Sequence, residues 1–335
     1  MQITGSATNI ALSITGSVIA MPQMANSLTG SFTGSVGNVW FNTDTNQLQY
    51  TYYSTPPAVW SIGSAMITAR YALRGAGIQS ATLAFGGFNS ATCADTEKYN
   101  GTSWTSVASM ITARQLPGSA GTQNAALGFG GFAPGETAVS EVYNGTSWAS
   151  TTSLIVARFS LAGAGTSTAA VAFGGFVGGN SSCTELFNGT SWSSSTALIT
   201  ARAYIAGTGI QTSALAFGGL LAPANSGLSC AEKYNGSTWS SAGSLITARG
   251  LVGAAGASNS SGLAFGGYNP PTSFSCTEFY DGISWSSTTS MIAVRASHGG
   301  SGTQTCALAF GGSNPTVAGA TELFNGGTII RTCSL

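Results

Sequence analysis

One string recurs six times in this chain: an apolar residue, a small residue, Phe and two glycines. It occupies 82–87, 126–131, 170–175, 214–219, 262–267 and 307–312. Successive Gly-Gly pairs lie 44, 44, 44, 48 and 45 residues apart. A period in that range marks an array of supersecondary units, each of which buries its apolar face only against its neighbours. Other positions keep the same register. Glu97, Glu141, Glu185, Glu232, Glu278 and Glu322 are followed two residues later by Tyr99, Tyr143, Phe187, Tyr234, Tyr280 and Phe324. Then come Trp104, Trp148, Trp192, Trp239 and Trp285, and each unit is preceded by an arginine: Arg70, Arg114, Arg158, Arg202, Arg249 and Arg295.

The local code inside each unit is β. Leu83-Ala84-Phe85 and its equivalents alternate large and small with a period of two, as a strand buried on both faces does. Asn-Gly follows at Asn100, Asn144, Asn188 and Asn235, a strong hairpin signal because both residues tolerate positive φ. These sites also match the N-glycosylation pattern, but the tight turn accounts for them. Ser, Thr and Gly interrupt every helical window. Each unit therefore reads as four strands, for example a at 71–77, b at 81–88, c at 95–100 and d at 103–107. Six such units close into a β-propeller, so the expected fold class is all-β: a six-bladed propeller preceded by an extended β segment with a hairpin.

Gly-Gly after an apolar strand, then Glu-x-aromatic, Trp and Arg resembles the kelch repeat over residues 60–325. The chain departs from that pattern in its shorter period and tighter turns, and Ile329-Ile330 stands where a sixth Trp is expected. Trp60 precedes Arg70 by ten residues, the Trp-to-Arg spacing of every other unit. Residues 59–62 thus read as a strand d lacking its own a to c, expected to complete the last blade and hide two sheet edges. The alternative is that 328–333 fills that place. The expected division is 1–57 for attachment or oligomerisation, 58–327 for the propeller (58–62 its closing strand) and 328–335 for a C-terminal tail.

Residues 1–57 repeat Ile/Leu/Phe-Thr-Gly-Ser at 3, 14, 28 and 32, a composition that cannot build a core alone. Two alternating runs flank Thr43-Asp44-Thr45-Asn46, hence a hairpin over 39–50. Trp40-Phe41-Asn42-Thr43, followed by Thr45-Asn46 and Leu48, resembles segments of bacteriophage tail-fibre and other virion proteins, particularly those of cyanobacterial phages. That resemblance implies a virion structural protein, a tail or fibre component made in the host cytoplasm and released by lysis. Residues 1–57 would join other virion proteins, the chain would be a homo-oligomer in the particle, and the propeller would contact host-surface glycan or protein.

Charge narrows the function further. Ten Lys and Arg balance ten Asp and Glu, and 6% of residues are charged, against about a quarter in an ordinary soluble chain. No basic stripe is available for nucleic acid. No apolar run reaches the roughly 20 residues of a membrane helix, and no Lys or Arg before Arg70 supplies the basic start of a secretory signal. The single histidine, His298, disfavours His-based metal sites and catalytic triads. Kelch-type copper oxidases need more His than this, and sialidase-type propellers cluster Arg that here are spread one per blade. No catalytic residue, cofactor or metal is expected, and the chain reads as a non-enzyme. Six Cys form no C-x-x-C pair; Cys183, Cys230 and Cys276 share one repeat position, too far apart for disulfides, and read as small buried residues.

Twelve of the twenty charges are the repeat Arg and Glu. They read as a structural charge ring, with acid–base work by the carboxylates as the competing reading. The connections from b to c vary instead: Gly-Gly to Glu spans ten residues in four blades, thirteen in the fourth and eleven in the fifth. Variable loops on a constant scaffold are where binding concentrates. The candidate face comprises Phe88, Asn89, Ser90, Phe132, Pro134, Glu136, Asn225, Tyr268, Asn269, Pro270, Asn314 and Pro315, suited to sugar hydroxyls or a protein surface; alternatively these residues only make turns. An extracellular kelch-type adhesin or lectin-like module is the main rival to the virion reading, and a carbohydrate-active enzyme the third.

Overall fold

The alternation that identifies strand b in the sequence places Leu83, Ala84 and Phe85 in full burial, at the centre of the first of six four-stranded antiparallel sheets. The computed structural model describes residues 12–13, 38–42, 47–54, 58–326 and 329–334, and the side chains of 58–326. In the first blade, strand a is Arg74–Ile78, b Ala81–Phe85, c Thr96–Tyr99 and d Trp104–Val107. The next four blades span 118–151, 162–195, 206–242 and 253–288 with the same order. Strand a starts three residues later than expected and strand b ends at Phe85 rather than 88, because Gly86 and Gly87 turn the chain at φ +65° and +110°. No helix occurs among the described residues.

The sixth blade is made from both ends of this unit. Gly299–Gly302, Cys306–Phe310 and Thr321–Asn325 take Val59–Gly63 as their fourth strand, with Phe324 opposite Trp60 and Asn325 opposite Val59. This is the pairing that the Trp60 spacing predicts. Residues 329–334 do not compete for it. Instead of forming a tail, Ile329–Ser334 pairs with Gln47–Ser54 in a second unit, a sheet ordered Leu12–Ser13, Asn38–Asn42, Gln47–Ser54, Ile329–Ser334. The expected hairpin lies in that sheet, with Val39 opposite Tyr50 and Asn42 opposite Gln47. The chain divides into these two units, 59–325 and the remainder.

The propeller core lies between blades. Ala76, Leu83 and Phe85 of one blade pack with Ala126, Tyr143 and Trp148 of the next, and Met110 of the connection fills the gap. Each strand-b Phe meets the Trp of the following blade at 4.9 to 5.3 Å between ring centres; Phe265 with Trp60 and Phe310 with Trp104 carry the series through the closing blade. Amide side chains in the a–b turns staple the same junctions. Gln79 Nε2 donates to the Ala307 and Phe324 carbonyls of the preceding blade, and Gln123, Gln211 and Gln304 repeat the pattern.

The glycine pair is required by close approach. The Arg114 carbonyl of the next blade accepts the Gly87 N–H at 2.9 Å, and a Cβ on Gly86 would lie 2.6 Å from that carbonyl. Two residues after each Arg the backbone adopts the left-handed region at Ala72, Leu116, Ser160, Tyr204, Leu251 and Ser297, with φ of 52° to 57°. None is Gly, Asn or Asp, so each costs about 1 kcal/mol or more. The strain is offset by a belt of backbone bonds from blade to blade: Leu116 N–H to Ala72, Ser160 to Leu116, Leu251 to Tyr204, Ser297 to Leu251, and Ala72 back to Ser297.

In four of the six blades the strand-d Trp indole reaches the first residue of strand c in the preceding blade, and the indoles of Trp192 and Trp285 have no partner. Trp104, Trp148, Trp239 and Trp60 donate to the hydroxyls of Thr321, Thr96, Thr184 and Thr277 at 3.0 to 3.1 Å. Trp285 faces Ala231 at that register position and its buried Nε1 has no partner. Ala231→Thr should supply the missing acceptor and raise unfolding stability by about 1 kcal/mol, the net worth of a buried hydrogen bond. Urea denaturation measures it, and an unchanged or lowered midpoint defeats the expectation.

Candidate functional site

The repeat Arg and Glu meet in six ion pairs, each within one blade, rather than in a continuous ring of charge. Arg70 Nη1 lies 2.8 Å from Glu97, Arg114 2.9 Å from Glu141 and Arg202 3.1 Å from Glu232; Arg158, Arg249 and Arg295 pair with Glu185, Glu278 and Glu322. Both partners are buried throughout. Each carboxylate also accepts two backbone N–H groups from the incoming connection, for Glu97 those of Ile67 at 2.8 Å and Thr68 at 3.2 Å. The arginine is less well served, since Nε has no partner in five of the six. Burial pushes the Arg70 and Arg114 guanidinium groups below their ordinary value, opposed by the facing carboxylates.

These pairs tie blades together. The connection entering the second blade donates Met110 N–H to Ala94 O and Arg114 N–H to Cys93 O of the first blade, while the Arg114 side chain holds Glu141 of the second. With its carboxylate engaged by three donors and enclosed, Glu141 and its equivalents have the geometry of structural anchors. Each also fixes an exposed isoleucine: Ile67, Ile111, Ile155, Ile199, Ile246 and Ile292 are 56 to 60% exposed, one per blade. The repeat cysteines Cys183, Cys230 and Cys276 are half-buried free thiols rather than buried ones, because they edge this linkage; Cys230 Sγ accepts from Arg202 at 2.5 Å.

The Asn-Gly turns are closed by their own side chains. Asn100 Oδ1 accepts the N–H groups of Thr102 and Ser103, and Asn144, Asn188 and Asn235 do the same. Asp281 occupies the position in the fifth blade, where the Ser284 and Ile283 N–H groups draw its carboxyl below the usual range.

On the opposite face the expected candidate residues divide. Asn89 and Ser90 form the tip of a small hairpin, Asn225 the tip of another, and Pro134, Pro270, Asn314 and Pro315 are exposed. Glu136 and Asn269 brace neighbouring loops: Glu136 accepts Gly178 N–H at 3.0 Å, Asn269 accepts Gly227 N–H at 2.9 Å, and Asn180 joins them by accepting Ala222 N–H. Phe88 and Phe132 belong to a larger feature. Tyr71 packs on Phe88 at 5.5 Å, Phe132 on Phe159 at 5.4 Å and Phe159 on Phe176 at 5.3 Å, all half-buried. Backbone bridges join Tyr71 to Phe88 and Phe159 to Phe176. Tyr268 bridges Gly250 instead, and the corresponding pairs in the fourth and sixth blades are Ala203 with Leu220 and Ala296 with Ser313. The residue after Gly-Gly is thus aromatic in four blades and not in the fourth and sixth, and the ring-to-ring contacts lie in the first three. Sequence reasoning missed Tyr71, Phe159 and Phe176, although two of them directly follow a repeat Arg and the third follows Gly-Gly.

His298 takes the place held by Leu73 and Leu161 in other blades. It is 2% exposed, packs on Phe265 at 5.5 Å and faces Arg295 and Arg74. Burial first, then those two charges, hold its pKa well below the ordinary histidine value.

Among known proteins, no family model matches the sequence and no curated protein matches it. The fold and the face are thus defined by the geometry above: a six-bladed β-propeller of the kind used as a binding scaffold.

Two measurements check this site. Glu97→Ala or Arg114→Ala should cost roughly 3–5 kcal/mol by stranding a buried charge, with exposed Thr105→Ala as control. Equal unfolding midpoints would show the pairs to be solvated. The lowered pKa of His298 means that below the unfolded value of about 6.5 the unfolded chain binds a proton that the folded chain does not. Stability should therefore fall as pH drops through 6.5 toward the folded pKa, and His298→Leu should flatten that slope. An identical slope in the variant excludes His298 as its source.

Proposed function

We propose that the protein is a bacteriophage virion component, part of a tail or fibre, that displays a kelch-like propeller for contact with the host surface or a neighbouring virion protein. The observation that carries the binding part of this reading is the one-sided aromatic arc Tyr71, Phe88, Phe132, Phe159 and Phe176. Half-buried rings held rigid by backbone bridges offer apolar faces without an ordering cost on binding. Exposed neutral groups at Asn89 and Ser90 follow Phe88 on its own loop, and Asn225 and Asn314 lie on the equivalent loops of the fourth and sixth blades. That pairing suits the alternating apolar and hydroxyl faces of a glycan, whose hydrogen bonds exchange with water at small net gain. Affinity per copy is then modest, and attachment comes from many copies on one particle.

The virion part is supported by the Trp40–Leu48 resemblance and by a charge-poor Ser/Thr/Gly-rich composition. Residues 1–57 are proposed to join other virion proteins, and a homo-oligomer follows from multivalent display. The six exposed isoleucines favour a protein neighbour as a second contact, since each is presented at a fixed place by a buried carboxylate. Nucleic acid, membrane insertion and catalysis form no part of the proposal.

Electron microscopy with gold-labelled antibody to the propeller should mark phage particles at one defined location, whereas label on a cell envelope alone favours a cellular adhesin. Phe159→Ala removes the ring that joins Phe132 to Phe176 and should reduce retention on host-surface polysaccharide about tenfold while circular dichroism stays unchanged. Undiminished retention moves the contact away from the arc.

A further inference from the structure

The six a strands surround a central channel holding a cavity of about 140 Å³, lined almost wholly by Gly, Ala, Ser and Thr. Opposite the strand-b Phe, the six blades carry Arg74, Gly118, Ala162, Ala206, Gly253 and Gly299. One large cation thus stands where the other blades have the smallest residues. Arg74 lines the cavity, and its one hydrogen bond is from Nη1 to the Leu73 carbonyl at 3.2 Å. No carboxylate of the described residues lies within ion-pair distance of it, although each of the other six arginines with described side chains faces a glutamate. Burial pushes its pKa down to about 10, which leaves it charged at neutral pH.

A second group in the cavity lacks a partner. His298 also lines it, is 2% exposed, and has no hydrogen-bond partner at either ring nitrogen; the Phe265 backbone lies beside the ring without completing a bond of proper geometry. A neutral imidazole always carries one N–H donor. The cavity hydroxyls are spoken for: Ser119 donates to Gly75 O, Thr208 to Gly256 O, and Ser301 pairs with Thr82. What remains unsatisfied is a fixed positive charge and a buried N–H donor, in a space that holds several waters at about 30 Å³ each.

We propose that this channel is a binding site for one small anion, an oxyanion or a carboxylate, taken by the Arg74 guanidinium with His298 as a neutral donor lining the same cavity. The planar fork of a guanidinium matches two oxygens of either group. An anion here compensates a half-buried guanidinium that faces no carboxylate of the described residues. The site is independent of the aromatic arc and does not rest on it.

The test is calorimetric titration of the full chain with sulfate and with acetate, at constant ionic strength held by a bulky sulfonate. Arg74→Ala installs the residue that Ala162 and Ala206 already provide, so the variant retains the fold, checked by its unfolding midpoint. The expected result is saturable one-to-one binding in the wild type and at least tenfold weaker binding in Arg74→Ala. Absence of saturable binding in the wild type, or equal binding in the variant, overturns the site. Glucuronate distinguishes the sources: binding at least tenfold tighter than acetate assigns the anion to a carboxylate carried by an acidic sugar, whereas no glucuronate binding beside clear sulfate binding assigns it to a free ion.

Discussion

A buried carboxylate in strand c governs the geometry of this propeller. In a chain that spends so few charges, six are placed as glutamates inside the fold, and each must be compensated or it would drive the structure apart. Compensation comes from the connection that enters the same blade. Glu97 holds the amides of Ile67 and Thr68 and the side chain of Arg70, while the backbone of that connection bonds back to the preceding blade, Met66 N–H to Gly319 O. The connection is thereby fixed from both sides. Blade spacing, the left-handed turn that follows and the entry of strand a into the channel all depend on that fixation.

Closure is the second consequence. A propeller assembled blade by blade presents an unpaired edge at each end, and open edges invite association. Here Val59–Gly63 pairs with Thr321–Asn325, and Trp60 gives the last blade the indole that residues after Asn325 do not supply. The final junction then has the parts found at every other, a Phe against a Trp and an Arg carbonyl on a glycine pair, and its indole bonds a threonine as at three of the others. Gly312 N–H bonds Arg70 O across it.

Most of this architecture was legible because it is written in side chains that repeat. Gly-Gly, Glu, Trp and Arg each perform one job per blade, and the ten-residue Trp-to-Arg spacing assigned Trp60 to the sixth. The left-handed belt was not legible. Ala72, Leu116, Ser160, Tyr204, Leu251 and Ser297 share no residue type, and none favours positive φ; the backbone bonds between blades impose the conformation, so no local signal records it. Braces such as Glu136 to Gly178 were hidden for a related reason, since an acidic residue in a loop reads as solvated until a neighbouring amide is placed beside it. The aromatic arc was half visible. Phe88 and Phe132 were conspicuous beside Gly-Gly, but Tyr71 and Phe159 follow the repeat Arg, and only the bridge between those two positions shows that they form one surface.

Positions where the repeats agree maintain the scaffold, and agreement by itself makes every direction around the axis alike. Recognition of one partner requires that this near-symmetry be broken. Three departures break it at sites of otherwise uniform character. The first three blades present aromatic rings where the fourth and sixth carry small or aliphatic residues. Arg74 stands where other blades have Gly or Ala, and His298 where they have Leu, Pro, Ile or Val. Arg74 and His298 belong to the first and sixth blades, which adjoin at the closing junction, and both line the channel. Packing alone would favour the repeat residue at each place, since an unpaired guanidinium and an unpartnered imidazole both weaken a core. Their presence concentrates the polar asymmetry of the molecule in the channel and leaves the apolar asymmetry to the rings of the outer face.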